Sequence, residues 1–403
     1  MKTQIIYVCF AILIFISCND PEPTNIELKE KSKELVVANN AFGFGLFESV
    51  LENAETDENL MISPLSVNQA LSMALNGAKE NTFLEMKSTL DFSGFSLSEI
   101  NSSNQELYNA LTDHDSKVEL KIANSIWYKN NITPNETFIA DNEVFYKAEV
   151  SSFDPANPEN AVKKINKWVD DQTKGKIKKI VSQIDDEDVM FLINAVYFKA
   201  EWKTQFKKSS TELAEFTPEN GKSKKVDTMI GEAELTYKNE SSYSVIKLPY
   251  GSGKFNMVIY LPEEGYTTSD IVSELVNTDF ETLNTMTPAK MDIWLPKFEF
   301  EYNNELTDEL TAMGINDAFS PMDANFGNVC DKDLYISSVL HKTYIKTDEE
   351  GSEAAAATKV TFGYTSVLPG EVIRINRSFL FAIVEEDTNS ILFIGKVYDP
   401  TIN

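Results

Sequence analysis

Glu349-Glu-Gly-Ser-Glu-Ala-Ala-Ala-Ala-Thr-Lys-Val-Thr-Phe-Gly-Tyr-Thr-Ser366 reads in two incompatible ways. Taken locally, Ala354 to Ala357 are strong helix formers and Ser352 is a suitable cap. Taken with period two, Ser352, Ala354, Ala356, Thr358, Val360 and Phe362 fall on one face of a strand, and Glu353, Ala355, Ala357, Lys359, Thr361 and Gly363 on the other. The first set buries without stranding a charge, and the second tolerates water. A segment that is a loop in one state and a half-buried strand in another is a candidate switch.

The chain around this stretch is long and acidic, with 403 residues, a formal charge of −27 and a pI near 4.5. That balance excludes nucleic acid as a partner, because a phosphate-backbone binder needs a basic surface. Met1 to Ser17 has one early lysine and then the apolar run Ile5 to Ile16, too short to span a bilayer and suited to a signal peptide. Ile16-Ser17-Cys18 resembles a bacterial lipobox, so Cys18 is expected to carry lipid and hold the chain to the cell envelope, at the outer membrane or cell surface; an ordinary signal peptide cut elsewhere is the alternative. Residues 18–34 are polar, contain two prolines and read as a tether. With Cys9 removed and Cys18 lipidated, Cys330 has no cysteine to pair with, so residues 35–403 must be held together by their core.

Within that span an amphipathic helix is expected over Leu35 to Val50 despite Gly43 and Gly45. Leu60 to Ile62 suits a short strand, with Ser63 as cap and Pro64 as first residue of a helix that Gly77 stops. Leu120 to Tyr128 reads as a strand and Ala161 to Val169 as a helix with Gly175 past its end. Met190 to Ala200 is apolar on both alternations, as a central strand covered on both faces would be. Ser244 to Leu248, Phe255 to Leu261 and Met291 to Phe300 are further strands, and Phe379 to Val384 with Ile391 to Val397 forms a hairpin around Glu385 to Ser390. No linker divides the chain after the tether and no fixed-period repeat is present, so one large domain is expected.

Candidate chemistry is sparse. His114, in Asp113-His-Asp115, is expected in a solvated loop, and His341, in an apolar strand pattern, as a buried hydrogen-bonded residue. No nucleophile elbow, His-Glu-x-x-His pair or complete phosphate loop accompanies either, so no enzymatic site, metal or cofactor is expected.

Glu349 to Thr358 fits the hinge pattern of the serpins throughout: two acidic or polar residues, Gly, Ser or Thr, any residue, then small residues. Asn59 with Ser63-Pro64-Leu65-Ser66 and Gly77-Ala78, Asn194 with Phe198-Lys199 and Trp202, Leu295-Pro-Lys-Phe298, Met313-Gly-Ile315 and the closing hairpin resemble serpin segments in the family's order. The resemblance covers 35–403 and implies an α+β serpin fold with a large central mixed sheet, further sheets, surrounding helices and an exposed reactive loop.

It also implies a monomeric suicide-substrate inhibitor that traps a target serine protease as an acyl-enzyme, extending to cysteine proteases that accept an apolar residue before Thr365. The scissile bond is placed fourteen residues past Gly351, at Thr365–Ser366. The interval to Asn376 is longer than in familiar inhibitors and Ser378 replaces the usual proline, so Tyr364, Val367 and Leu368 stay open as alternatives. By resemblance the hinge is Glu349, Glu350, Gly351, Ser352, Glu353, Ala354, Ala355, Ala356, Ala357 and Thr358. Ser63, Ser66, Asn194 and His341 form a shutter beneath the sheet, and Trp202, Lys297 and Glu349 a breach at its top. The rival is a non-inhibitory serpin-fold binding protein on the cell surface.

Overall fold

The run beginning at Met190 forms the strand that the other elements enclose. The computed structural model describes residues 23–275, 280–352 and 372–402. The expected signal peptide, Cys18, hinge residues Glu353 to Thr358 and bond candidates Tyr364 to Leu368 lie outside them.

In chain order the strands are β1 (Leu60–Ile62), β2 (Val118–Lys129), β3 (Glu149–Phe153), β4 (Met190–Glu201), β5 (Thr211–Phe216), β6 (Lys224–Asn239), β7 (Tyr243–Tyr250), β8 (Phe255–Pro262), β9 (Ala289–Pro296), β10 (Phe298–Glu305), β11 (Ser338–Thr347), β12 (Gly351–Ser352), β13 (Val372–Arg374), β14 (Phe379–Glu385) and β15 (Ile391–Val397). One sheet has the order β10-β11-β12-β4-β2-β3 and mixes parallel with antiparallel pairs. The other runs β1-β15-β14-β8-β7-β6-β9-β13, with β5 on the side of β6. Strand β6 is long enough to change partners, pairing with β9 over Thr228 to Leu235 and with β7 over Thr236 to Asn239. With the helices packed around these sheets, the architecture is α+β.

Both alternations of β4 are buried because each meets its own cluster. Phe191, Ile193 and Ala195 pack with Trp127, Ile165 and Val169. Leu192, Val196 and Phe198 join the main core. The helices in that half of the chain are α1 (Glu30–Asn53), α2 (Pro64–Leu75), α3 (Glu80–Thr89), α4 (Leu97–Leu111), α5 (Glu136–Tyr146) and α6 (Pro158–Gln172). α6 covers the first face of β4, and α2 lies against the second.

Two expected boundaries move. The first helix begins at Glu30, ahead of residue 35, and the segment expected as a tether already packs on the domain near its end: Leu28 is buried and the Ile26 N–H donates to Asp387 Oδ2 at 2.9 Å. Met291 to Phe300 is two strands in different sheets, because the chain crosses between sheets at Pro296-Lys297, where the Lys297 N–H donates to the Asp227 carbonyl at 2.9 Å.

The two glycines of α1 have different reasons to be there. A Cβ on Gly43 would lie 2.4 Å from Pro64 Cβ, so the close crossing of α1 over α2 requires glycine; at Gly45 the nearest neighbour is Met313 Cε at 3.4 Å. Gly43→Ala is therefore expected to lower stability by about 1–3 kcal/mol through overpacking, whereas Gly45→Ala gains up to about 1 kcal/mol of helix propensity. Urea unfolding midpoints of the two variants should move in opposite directions; equal shifts would contradict the packing argument.

Candidate functional site

The six-stranded sheet is closed at one end and split at the other. β4 and β11 pair directly, in parallel, from Phe191↔Ser338 to Val196↔Thr343. Above that the two strands part, and the two residues of β12 lie between them: Gly351 opposite Glu201, and Ser352 opposite both Ala200 and Thr347. Glycine is needed at 351, because its φ is +152° and a Cβ would sit 2.0 Å from the Ala200 carbonyl oxygen. Ser352 is 1% exposed, with its hydroxyl 2.7 Å from Tyr250 Oη and 3.4 Å from Thr347 Oγ1. The serine thus points inward, on the face where period two places it.

Glu349, Lys297 and Trp202 meet at the split end. Lys297 Nζ lies 3.1 and 3.0 Å from the two Glu349 carboxylate oxygens, and the Thr211 hydroxyl donates to Glu349 Oε1 at 2.6 Å. The backbone N–H groups of Trp202 and Phe206 donate to the carbonyls of Glu350 and Glu349, and the Trp202 indole N–H donates to the Asp348 carbonyl, each at 2.9 Å. Trp202 stacks on Tyr250 with ring centroids 4.4 Å apart. Burial pushes the Glu349 carboxyl up, but the Thr211 and Lys297 hydrogen bonds and the lysine charge reverse this and leave it below the ordinary carboxylate range.

At the closed end, His341 is fully buried. Its Nε2 accepts the Ser63 N–H at 3.0 Å, which leaves the proton on Nδ1 to donate to Asn194 Oδ1 at 2.9 Å. Asn194 Nδ2 donates to Asn124 Oδ1 at 2.6 Å and to the Ser66 carbonyl at 3.3 Å; Asn124 in turn donates to Gln69 Oε1 at 3.0 Å. Ser63, Ser66, Asn194 and His341 are therefore brought together, but not through the serine hydroxyls: among the described residues, Ser63 makes no side-chain cap, and the buried Ser66 hydroxyl has no hydrogen-bond partner. Asn124 and Gln69 were missed by sequence reasoning, although an asparagine inside the apolar run of β2 is the same signal that singled out Asn194. Thr211 and Tyr250 carried no such signal.

His114, expected in a solvated loop, is half-buried, because the turn after α4 packs on the β14–β15 turn, within reach of Glu385 and Asp387.

The geometry is shared with known proteins. Residues 37–400 match the family model described as serpin (serine protease inhibitor). Serpin A3-5 of Bos taurus is 34% identical over 394 residues, covering 94% of this chain and 93% of its own length. The crystal structure of the thermophilic serpin tengpin in its native state superposes with a TM-score of 0.84 at 34% identity, covering 93% of this chain and 96% of tengpin. Human thyroxine-binding globulin complexed with its hormone superposes with a TM-score of 0.83 at 30% identity, covering 92% of this chain and all of that structure, 100%.

Burial pushes the His341 pKa from its ordinary 6.5 down to about 3. The folded state therefore resists protonation, so this group's contribution is complete above pH 6.5 and is lost as pH falls toward 3. Between pH 6.5 and 5 the loss amounts to roughly 2 kcal/mol at ~1.4 kcal/mol per unit. Glu349, with a depressed carboxyl, adds a loss of the same sign at lower pH. Unfolding measured across this range should show a shallower slope in His341→Gln than in the unaltered chain; parallel slopes would remove His341 as the titrating group.

Proposed function

The chain belongs to the serpin family, whose members generally inhibit proteases, and on that premise we propose that it is an inhibitory serpin acting on serine proteases. The observation that carries this reading is the wedge of Gly351-Ser352 already paired with both β4 and β11. Extending the two registers puts Ala354 between Phe198 and Ile345, Ala356 between Val196 and Thr343, and Thr358 between Asn194 and His341. All six of those neighbours are buried, so only small, uncharged residues suit the inward positions, and Ala354, Ala356 and Thr358 are such residues.

A serine protease attacks the carbonyl of Thr365 to form an acyl-enzyme, and the cut frees the segment before it to enter the sheet with the enzyme attached. About fourteen residues at ~3.3 Å each span roughly 45 Å, enough to carry the enzyme from one end of the domain to the other. On the order of ten net hydrogen bonds at ~1 kcal/mol each is comparable with the stability of an ordinary domain. The intact form is then a kinetically held state.

Thr365 or Val367 suits elastase-like enzymes, and Tyr364 or Leu368 chymotrypsin-like ones. No Lys or Arg lies between Phe362 and Glu371, which disfavours trypsin-like targets. Export through Met1 to Ser17 and lipidation of Cys18 complete the proposal, placing a monomeric inhibitor on a bacterial envelope. The binding-protein alternative draws on thyroxine-binding globulin as a structural neighbour.

Incubation with a neutrophil elastase or chymotrypsin-like protease should give a covalent complex that survives denaturing electrophoresis, and the released fragment should begin at Ser366. A clean cut without complex would favour the binding protein. Nicking the loop should also raise the melting temperature sharply, while Ala354→Arg should convert the inhibitor into a substrate, because an unpaired charge is driven among Phe198, Ile345 and their neighbours. Unaltered inhibition stoichiometry in that variant would refute insertion.

A further inference from the structure

Apart from the sheet, one cluster has the chemistry of a binding site. The chain has only two histidines, and both ring nitrogens of His341 are engaged in the shutter, so His114 is the one imidazole left to act elsewhere. A ring nitrogen of His114 and one carboxylate oxygen each from Glu385 and Asp387 lie within 4.8 Å of one another. His114 Nε2 is shut away from solvent and has no hydrogen-bond partner among the described residues. A buried ring nitrogen without a partner needs explanation, and coordination supplies one.

We propose that His114, Glu385 and Asp387 bind a divalent transition-metal ion of the zinc type. One imidazole and two carboxylates suit such ions and leave a position for water, whereas calcium and magnesium prefer oxygen ligands throughout. The surroundings hold the carboxylates in place, as outer-shell hydrogen bonds do around metal ligands. Glu385 is fully buried; its Oε1 accepts the Asp387 N–H at 3.1 Å, and its Oε2 accepts the Thr388 N–H at 2.8 Å and the Thr388 hydroxyl at 2.7 Å. Asp387 accepts from Lys254 Nζ at 2.8 and 2.9 Å and from the Ile26 N–H. Lys254 is thus the cation a metal has to displace from Asp387, or share it with. Occupancy joins the loop after α4 to the closing hairpin, at the point where the N-terminal segment meets the domain.

The test is zinc binding by the full chain with its accessible thiols alkylated, followed by competition with a chromophoric chelator and by the visible spectrum of the cobalt form. One ion per chain is expected, with a rise in melting temperature on adding zinc. His114→Asn should weaken binding at least about tenfold, since outer-shell partners alone cost about 10–100-fold, and should abolish the zinc-dependent thermal shift. Lys254→Gln, which removes the competing ammonium, should tighten binding. Zinc affinity unchanged in His114→Asn, weakened in Lys254→Gln, or matched by calcium would overturn the assignment.

Discussion

Between β4 and β11 the sheet is one strand short of complete at its split end, and within the β4–β11 ladder below it a buried side-chain hydrogen bond, from His341 to Asn194, lies across the line that a new strand would follow. Most of the surrounding structure supports that contact. α2 presents the Ser63 N–H that fixes the histidine's tautomer, and β2 presents Asn124 to hold the asparagine amide. A buried donor or acceptor left unpaired costs about 1–3 kcal/mol, so removing any one of these partners strands the others. The network is therefore stable as a whole and hard to open in part.

The split end is restrained differently. Glu349 is almost completely buried while Lys297 stays partly exposed, so the pair does not bring two bare charges into the core. Its carboxylate is satisfied by the lysine and by Thr211, and the backbone on either side is held by Trp202 and Phe206. Removing Lys297 would cost more than the pair contributes, because Glu349 would remain buried with its charge uncompensated. The arrangement fixes where the chain enters the sheet, and Gly351 lets the backbone pass at a distance no side chain tolerates.

Much of this was legible in the sequence because it rests on local pattern. β4 was readable from an apolar run on both alternations, and the inward face of the hinge from period two, which Ser352 follows. Three other features rest on non-local contacts. The break at Pro296-Lys297 is decided by a crossing between sheets; the apolar positions shift phase there, from Met291, Ile293 and Leu295 to Phe298 and Phe300, and reading the stretch as one strand passes over that shift. The early start of α1 is set by Leu28 and Ile26 reaching the domain from far away in sequence. Ser63 and Ser66 are ordinary hydroxyl residues in sequence, and only the fold makes their backbone, not their side chains, the useful part.

If the loop inserts as proposed, the registers also locate the barrier it would meet. The pairing of β4 with β11 stops at Val196 and Thr343, and the wedge begins at Ala200 and Thr347, which leaves Tyr197 to Lys199 and Tyr344 to Lys346 between them. In that event Glu353, Ala354 and Ala355 would match those positions, and the first part of the hinge would enter without separating a β4–β11 pair. From Ala356 onward each added residue must replace a pair already made, and two positions later Thr358 arrives at the His341–Asn194 contact. Early steps of the proposed insertion would therefore be downhill but few, and the next ones would exchange existing bonds for new ones while breaking a buried polar network. An intact loop, which continues into β13, would gain little before it met that resistance. On that proposal a cut loop would be free to continue past it: Lys359, Val360 and Thr361 would still replace the remaining Ile193–Leu340, Leu192–Val339 and Phe191–Ser338 pairs, but each would gain strand pairing on both sides, which would make the cut the step that commits the molecule.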